Sequence, residues 1–331
     1  NIEGADPGFT DLAGQDFSPA PGSPLIDAGE RRDLLRRLRQ PARSPGQQFS
    51  LTSGFRSNLN DQEYHQAFSR IQTYIHAGDC YQVNLAQRFS ADYQGDPWLA
   101  YKRLRSVAAA PFSAYLETAN GAVLCLSPER FLALHGHHVE TSPIKGTRPR
   151  GGSAIQDLAL RAQLLSSEKD RAENLMIVDL LRNDLGRVCE PGSIAVPGLF
   201  EVESYATVHH LVSTVTGRLR DGVDAIDLLR AAFPGGSITG APKRRAMQII
   251  DELEPVRREV YCGNVIRLGF DGDLDSSITI RTALMREDRL YYWAGGGIVA
   301  DSDCAAEYQE SLDKAAAFLR LLQVDADLGA A

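Results

Sequence analysis

The stretch Ser276–Ile298, with the sequence SSITIRTALMREDRLYYWAGGGI, contains two runs that have the composition of β-strands. These runs, Ser276–Arg286 and Leu290–Ile298, are separated by only three residues, all of them charged. So short a connection joins antiparallel neighbours, because parallel strands need a long crossover. Hairpin spacing is also more frequent along the rest of the chain than regular alternation of strand and helix. The sequence therefore predicts an α+β protein with largely antiparallel sheets and helices packed on them.

The clearest helix begins at Asn60, a residue that caps helices well, with Glu63 three positions later, and it ends at Gly78. The Ala122–Leu126 and Arg130–Thr141 strands are expected to form a hairpin-like pair that turns at Gly136. The predicted strands outside the opening stretch are Tyr81–Phe89, Ala122–Leu126, Arg130–Thr141, Val208–Leu219 and Glu259–Phe270. The other predicted helices are Pro97–Ala109, Ile155–Leu185, Asp224–Phe233, Ala241–Leu253 and Cys304–Leu322.

The strong periodicity is confined to one part of the chain of 331 residues. Residues 1–55 are rich in Pro, Gly, Ser and Arg, with one short helical pattern at Arg31–Arg39, and are interpreted as a peripheral segment and linker. Residues 56–325 are expected to form the main folded domain, and residues 326–331 a tail.

The composition favours an ordinary folded protein of the cytoplasm. Hydrophobic residues make up 43% and charged residues 24% of the chain, and neither a signal peptide nor an apolar run of about 18 residues is evident. The net charge of −8 disfavours binding to nucleic acid, and no membrane association is expected. The five cysteines are an odd number without a CxxC pair, which indicates reduced thiols.

The stretch ETSPIKGTRPRGG, residues 140–152, places a single lysine, Lys145, between Pro143 and Gly146. Most lysines lie in solvent, and Arg148 and Arg150 are consistent with a solvated basic turn. The alternative is that the turn presents Lys145 to a pocket. A lysine acts as a nucleophile or base only where burial or neighbouring positive charge lowers its pKa.

A glycine-rich stretch, FPGGSITGAPKRRAMQIIDELEP at residues 233–255, leads into a helix with Pro242 in its first turn. Helix N-termini bind anions, and Lys243 and Arg244 add positive charge. The spacing differs from that of a Walker A loop, so a carboxylate is a better candidate than a nucleotide phosphate. A simple glycine cap and turn is the other interpretation.

Gly295, Gly297 and Ala300 match the GxGxxA pattern of dinucleotide-binding proteins. Only one helix follows them, so no parallel strand can complete a βαβ unit, and an oxidoreductase is the weakest functional alternative. Glycine here is also consistent with close approach of the backbone to a ligand.

Two predicted helices carry acidic residues of interest. Glu173 shares a helical face with Ile177 and Leu180, where a carboxylate needs a cation nearby. Glu310 lies opposite the apolar stripe of its helix and four residues before Lys314, which is typical of an exposed ion pair. If the two acids met at one site, their oxygen ligands would suit Mg²⁺.

Several motifs together resemble the chorismate-utilising enzymes over about residues 60–322. This family includes anthranilate synthase large subunits, isochorismate and salicylate synthases and aminodeoxychorismate synthases. The resemblance implies an α/β sandwich of two mostly antiparallel β-sheets, with residues 1–55 as the remnant of an N-terminal region. The motifs are SPERF, PIKGTRPRG, DRAENLMIVDLLRNDLGR, VHHLVSTV, FPGGSITGAPKRRAMQIIDELEP, YCGNV, SITIRT, AGGGIVADSD and EYQESLDKA.

The lysine of PIKGT resembles the aminodeoxychorismate-forming branch, whereas the other branches typically have alanine there. This resemblance implies that Lys145 attacks carbon 2 of chorismate while the 4-hydroxyl leaves, and that ammonia then enters at carbon 4 and expels the lysine. The chain has no GxCxG motif, so the resemblance implies a separate glutaminase subunit as the ammonia source. The alternatives are an anthranilate synthase component I, another chorismate-utilising enzyme, and a catalytically silent scaffold that binds a glutaminase.

The resemblance also assigns roles to individual residues. Glu129 in SPERF is implied to be the general acid for the departing hydroxyl, and His210 matches the active-site histidine of the family. Glu173 and Glu310 are implied to bind Mg²⁺, which overrides the periodicity argument for Glu310. The implied substrate-binding groups are Thr239, Tyr261, Arg281 and the backbone N–H groups of Gly296 and Gly297.

Overall fold

The computed structural model describes residues 9–11, 16–19, 47–108, 110–206 and 208–323. The helix predicted at Arg31–Arg39 and the predicted tail at 326–331 lie outside these ranges. The strands are β1 (Phe9–Asp11), β2 (Asp16–Pro19), β3 (Ser50–Leu51), β4 (Arg56–Ser57), β5 (Gln82–Gln94), β6 (Phe112–Thr118), β7 (Gly121–Ser127), β8 (Arg130–His135), β9 (His138–Thr141), β10 (Ile144–Pro149), β11 (Ala195–Ser204), β12 (Val208–Arg218), β13 (Gly240–Ala241), β14 (Asn264–Leu268), β15 (Leu274–Ile278), β16 (Thr282–Arg286) and β17 (Arg289–Ile298).

The described residues also contain seven α-helices. None of them combines the length and hydrophobicity needed to cross a lipid bilayer. A short 3₁₀ helix, Gly236–Ile238, lies in the glycine-rich stretch. The α-helices are α1 (Asp61–His76), α2 (Pro97–Ala108), α3 (Ala154–Ser166), α4 (Glu168–Gly186), α5 (Ala225–Ala232), α6 (Lys243–Leu253) and α7 (Cys304–Gln323).

Two large antiparallel sheets form the framework, as predicted. One has eight strands in the order β13-β5-β17-β16-β7-β6, with β3 and β4 also paired to β5. The other has seven strands. Six of them follow the order β10-β12-β9-β8-β15-β14, and the seventh, β11, also pairs with β12. The predicted hairpin of the opening stretch is β16–β17, in which Ala283 pairs with Tyr292. A separate small pair is formed by β1 and β2.

The hydrophobic core lies in layers on both faces of the eight-stranded sheet. One cluster joins the two sheets and contains Phe131 and Ile278 from one and Ala86 and Trp293 from the other. On the opposite face, helices α1, α2, α6 and α7 cover β5, β16 and β17. Alternate residues of β5 therefore face different layers, as the strand pattern predicts.

Helix α1 begins as predicted. The Glu63 amide donates to Asn60 Oδ1 at 2.9 Å, and the Asn60 amide donates to Glu63 Oε2 at 2.8 Å. This reciprocal pair satisfies two amides that the helix itself cannot bond.

The predicted long helix Ile155–Leu185 is instead two helices, α3 and α4. Ser167 separates them with an extended ψ of 107°, and its side chain accepts a hydrogen bond from the Asp170 amide. A serine that caps a new helix interrupts the helical pattern without disturbing its apolar spacing, so periodicity alone missed the break.

Other differences arise where the chain passes from one sheet to the other. The predicted strand Ser276–Arg286 is divided into β15 and β16, which belong to different sheets. The predicted partners Ala122–Leu126 and Arg130–Thr141 are also in different sheets, and it is β8 and β9 that form the hairpin around Gly136. In the predicted strand Glu259–Phe270, only β14 is extended, because Glu259 and Cys262 have positive φ values of 47° and 64°.

Candidate active site

A cavity of about 790 Å³ opens where the two sheets meet helices α4 and α7. This volume lies within the usual range for small-molecule sites. Nine of the ten residues singled out from the sequence line it, and Thr239 does not. The nine are Glu129, Lys145, Glu173, His210, Tyr261, Arg281, Gly296, Gly297 and Glu310.

Glu129 and Arg281 lie where the chain crosses between the sheets, after β7 and before β16 respectively. The Ile278 amide donates to the Glu129 carbonyl at 3.2 Å, and the Leu126 amide donates to the Arg281 carbonyl at 3.1 Å. Arg281 has a φ of 49°, a conformation that side-chain-bearing residues rarely adopt. The two crossings are thus joined by backbone hydrogen bonds, and each brings a charged side chain to the cavity.

Glu129 is the most deeply buried acid of the cavity, with 5% of its surface exposed. Burial raises its pKa to about 7, although the Ser237 hydrogen bond and the charge of Lys145 oppose this shift. Ser237 Oγ donates to Glu129 Oε1 at 2.9 Å. A carboxyl group with a pKa near neutrality can supply a proton, as the predicted role of general acid requires.

Lys145 lies on strand β10, and the prediction of a turn was wrong. Gly146 makes a local irregularity in this strand with a φ of 81°. The side chain of Lys145 is only 14% exposed, and its Nζ lies 3.9 Å from Glu173 Oε2. A freely solvated position is therefore excluded.

The two arginines that follow Lys145 are neutralised by aspartates. Arg148 pairs with Asp170 at 2.9 Å and Arg150 with Asp157 at 2.8 Å. They consequently tie β10 to helices α3 and α4, which contradicts the basic-turn interpretation.

His210 lies on β12, beside β10, and is buried. Its Nδ1 is 2.9 Å from Thr147 Oγ1. Burial, together with the charges of Arg281 and His209, lowers the pKa of His210 to about 4. The imidazole is therefore neutral at pH 7 and can exchange hydrogen bonds without adding charge.

Two carboxylates from different helices face a common lysine. Lys169 Nζ lies 4.0 Å from Glu173 Oε1, on its own helix α4, and 3.9 Å from Glu307 Oε1, on α7. Burial raises the pKa of both carboxyl groups, and the positive charge of Lys169 offsets only part of this increase. The expectation that Glu173 needs a nearby cation is thus confirmed, with Lys145 and Lys169 supplying the charge.

Glu310 forms the ion pair that helical spacing predicts, with Lys314 Nζ 2.7 Å from its Oε1. Lys314 also donates to the Gly295 carbonyl at 2.8 Å. Glu310 is 56% exposed and lies on the cavity wall. Helical spacing thus predicted the ion pair of Glu310, and the family resemblance pointed to its place in the cavity.

The donor chemistry of this region fits Mg²⁺. Among the described residues, no three His, Cys, Asp or Glu side chains converge as in a preformed metal centre. However, Glu173 and Glu307 already hold a positive charge between them, and Glu310 lies on the same helix as Glu307. Oxygen ligands without His or Cys are those that Mg²⁺ prefers.

The glycine-rich stretch contributes Ser237 and Ile238 to the cavity. Lys243 does not face an anion site, because its Nζ donates to Asp184 Oδ2 and to the Ala232 carbonyl, both at 2.6 Å. Thr239 Oγ1 donates to the Gly235 carbonyl at 2.9 Å. Lys243 and Thr239 thus stabilise the loop from within.

The Gly295–Gly297 backbone of β17 forms another wall. Because β17 pairs antiparallel with β5 and β16, these glycines do not belong to a dinucleotide-binding unit. A Cβ at Gly296 would lie 2.8 Å from Glu307 Oε2, and one at Gly297 would lie 2.8 Å from Gln82 Nε2. A side chain at either position would displace the end of Glu307 or Gln82, so glycine here allows these polar groups to lie against the strand.

Sequence reasoning missed several residues of the site, chiefly Thr147, Lys169, Ser237 and Glu307. Thr147 stands two positions after Lys145, and Glu307 stands three before Glu310, so the strand and helix periods could have indicated both. Lys169 precedes Glu173 by four residues, the spacing of a helical ion pair.

The chain matches the family described as chorismate binding enzyme over residues 23–320. It is 59% identical over 275 residues to aminodeoxychorismate synthase component 1 of Klebsiella aerogenes, covering 83% of this chain and 61% of that protein. It is 44% identical over 270 residues to anthranilate synthase component 1 of Aquifex aeolicus, covering 82% of this chain and 55% of that protein. The crystal structure of anthranilate synthase component I from Streptococcus pneumoniae superposes with a TM-score of 0.79 at 36% identity, covering 89% of this chain and 66% of that one. The chain thus spans about three fifths of the length of these curated relatives.

Proposed function

Since the chain belongs to the chorismate-binding enzyme family, we propose that it converts chorismate and ammonia to 4-amino-4-deoxychorismate. The observation that carries the proposal is the position of Lys145, which is largely buried and faces the same cavity as Glu129. The similarity to aminodeoxychorismate synthase component 1 supports the same reaction.

In the first step, Lys145 loses the proton of its ammonium group to solvent and attacks carbon 2 of chorismate as a neutral amine. The ring double bonds shift, and the bond between carbon 4 and its hydroxyl group breaks. Protonated Glu129 donates the proton with which the hydroxyl leaves as water, a role that its pKa of about 7 favours. The product of this step is a secondary ammonium group that links Lys145 to the ring, with both hydrogens of the lysine amine still on its nitrogen.

In the second step, ammonia attacks carbon 4, the double bonds shift back, and the bond from carbon 2 to the lysine nitrogen breaks. The carboxylate of Glu129, now ionised, accepts a proton from the incoming ammonia. Because its nitrogen is protonated in the adduct, Lys145 departs as a neutral amine, so the enzyme returns to its initial state. An amine suits both steps, since it is a nucleophile when neutral and a leaving group when protonated.

Other cavity residues orient the substrate. Arg281, Tyr261 and the backbone N–H groups of Gly296 and Gly297 would bind its carboxylates. Glu173 and Glu310 would hold Mg²⁺, which neutralises a substrate carboxylate when bound. His210 and Thr147 supply neutral hydrogen-bonding groups beside the strand that carries Lys145.

The ammonia would come from a separate glutaminase subunit. Its relatives named component 1 imply a further component. Relatives named anthranilate synthase favour amination at carbon 2 as the second candidate function. Lys145 distinguishes the two, because direct amination at carbon 2 has no need of a second nucleophile there.

The test is product identification by mass spectrometry after incubation with chorismate, Mg²⁺ and an ammonium salt at mildly alkaline pH. A non-aromatic amino product without pyruvate is expected. Anthranilate with an equal amount of pyruvate would establish the second candidate, and unchanged chorismate would contradict both.

A further inference from the structure

Lys169 is the residue whose position the proposed reaction leaves unexplained. Its ammonium lies between Glu173 and Glu307, within 4.0 Å of one oxygen of each. The two acids belong to different helices, so Lys169 connects α4 with α7 across the cavity. The proposed Mg²⁺ site, which includes Glu173, therefore overlaps a position that is already occupied by a positive charge.

On this side of the cavity, the number of positively charged side chains equals the number of negatively charged ones. Glu173 contacts Lys145 and Lys169, Glu307 contacts Lys169, and Glu310 contacts Lys314. Three carboxylates thus face three ammonium groups. A divalent cation that enters alone disturbs this balance, whereas a divalent cation together with a dianionic substrate preserves it.

The side chains of the three lysines differ in how easily they can leave the cavity for solvent. Lys145 is 14% exposed, and Lys314 is bonded to the Gly295 carbonyl. Lys169 is 55% exposed, and its contacts to both acids are near 4 Å, which is long for an ion pair. It can therefore turn into solvent when another cation takes its place beside the buried Glu307.

We propose that Lys169 is a built-in competitor for the cation position between Glu173 and Glu307, which holds both carboxylates while the cavity is empty and leaves when a divalent cation binds. This inference rests on the proposed function, because it assumes that Glu173 is a metal ligand. Its consequence is that the substrate-free protein binds divalent cations more weakly than its carboxylates alone would.

The test measures Mn²⁺ binding to substrate-free protein, with the electron paramagnetic resonance signal of free Mn²⁺ as the readout. Lys169→Met keeps the length of the side chain and removes its charge. We expect it to bind Mn²⁺ about three- to tenfold more tightly than the wild type, the factor expected from the loss of two half-exposed ion pairs. Lys169→Arg, which keeps the charge, should stay close to the wild type.

Two further variants make the result specific. Lys102→Met removes an exposed lysine of α2, outside the cavity, and should leave Mn²⁺ binding unchanged. Glu173→Gln should abolish the tight binding in both the wild-type and the Lys169→Met backgrounds.

Equal or weaker Mn²⁺ binding by Lys169→Met would overturn the role of Lys169 while leaving the metal site intact. Binding that does not depend on Glu173 would overturn the metal site and, with it, the competition. Neither outcome bears on whether the enzyme forms 4-amino-4-deoxychorismate, which the product assay decides separately.

Discussion

Ser237 donates a hydrogen bond of 2.9 Å to the carboxyl group of Glu129. The contact joins the glycine-rich stretch to the crossing between β7 and β8, and it is made to a side chain that is otherwise deprived of water. The protonation of Glu129 is therefore balanced between burial, which favours the neutral acid, and this hydrogen bond, which favours the carboxylate.

Glu129→Gln should alter the pH dependence of stability. The pKa of Glu129 is raised from 4.5 to about 7 in the folded protein, so the folded state holds its proton more tightly. Wild-type stability should consequently fall relative to the variant as the pH rises from about 4.5 to about 7, by up to about 3 kcal/mol, and then level off. Urea unfolding of both proteins across this range measures the difference, and a constant difference would contradict the assigned burial energetics.

His210→Asn should have the opposite dependence. The pKa of His210 is lowered from 6.5 to about 4, so the unfolded chain binds a proton more readily than the folded protein. The wild type should lose stability relative to the variant as the pH falls from about 6.5 to about 4. The same unfolding measurements apply, and a wild type that gains stability relative to the variant over this range would show that His210 is charged in the folded state.

Lys145→Ala should abolish the covalent adduct and slow aminodeoxychorismate formation by roughly 10³-fold or more, the scale on which loss of a nucleophile is felt. Mass spectrometry of the intact protein after mixing with chorismate detects the adduct directly. Slow amination at carbon 2 would be a compatible residual activity. Lys102→Ala, at an exposed position of α2, is the matched control. An adduct on the Lys145→Ala protein would remove Lys145 from the mechanism.

Asp184→Asn should destabilise the protein without changing the chemistry of the cavity. Asp184 is 3% exposed and holds the 14% exposed Lys243 at 2.6 Å. Loss of one partner of a buried pair leaves the other charge uncompensated, and we expect a cost of about 3 kcal/mol. Thermal unfolding measures the effect, and the exposed pair Arg230–Asp227 offers a control in Asp227→Asn. Equal effects of the two substitutions would contradict this interpretation.

The sequence predicted the antiparallel class, the capped start of α1 and the β16–β17 hairpin, because each depends on neighbouring residues. It did not predict that β15 and β16 separate into different sheets, since the run Ser276–Arg286 contains no glycine or proline to mark a break. The break at Arg281 depends on a positive φ, which neither composition nor alternation reveals.

The same distinction holds for the site. Motifs brought Glu129, Lys145 and Glu173 to attention, and the fold does place them around one cavity. The partners of these residues were harder to predict, because Ser237 and Lys145 are brought to Glu129 from other parts of the chain. The glycine-rich stretch looked like an anion site, whereas its lysine is held by Asp184, a residue whose proximity is a property of the tertiary structure.

The chain crosses between the two sheets at Glu129 and at Arg281, and main-chain hydrogen bonds hold these two crossings together. Every amino acid carries a main-chain carbonyl, so the two hydrogen bonds themselves can form with other side chains at these positions. Other functional groups can accordingly be accommodated at the centre of the site while the backbone that positions them stays the same. At these two residues the side-chain atoms can change the chemistry of the site, while the main-chain atoms preserve the fold.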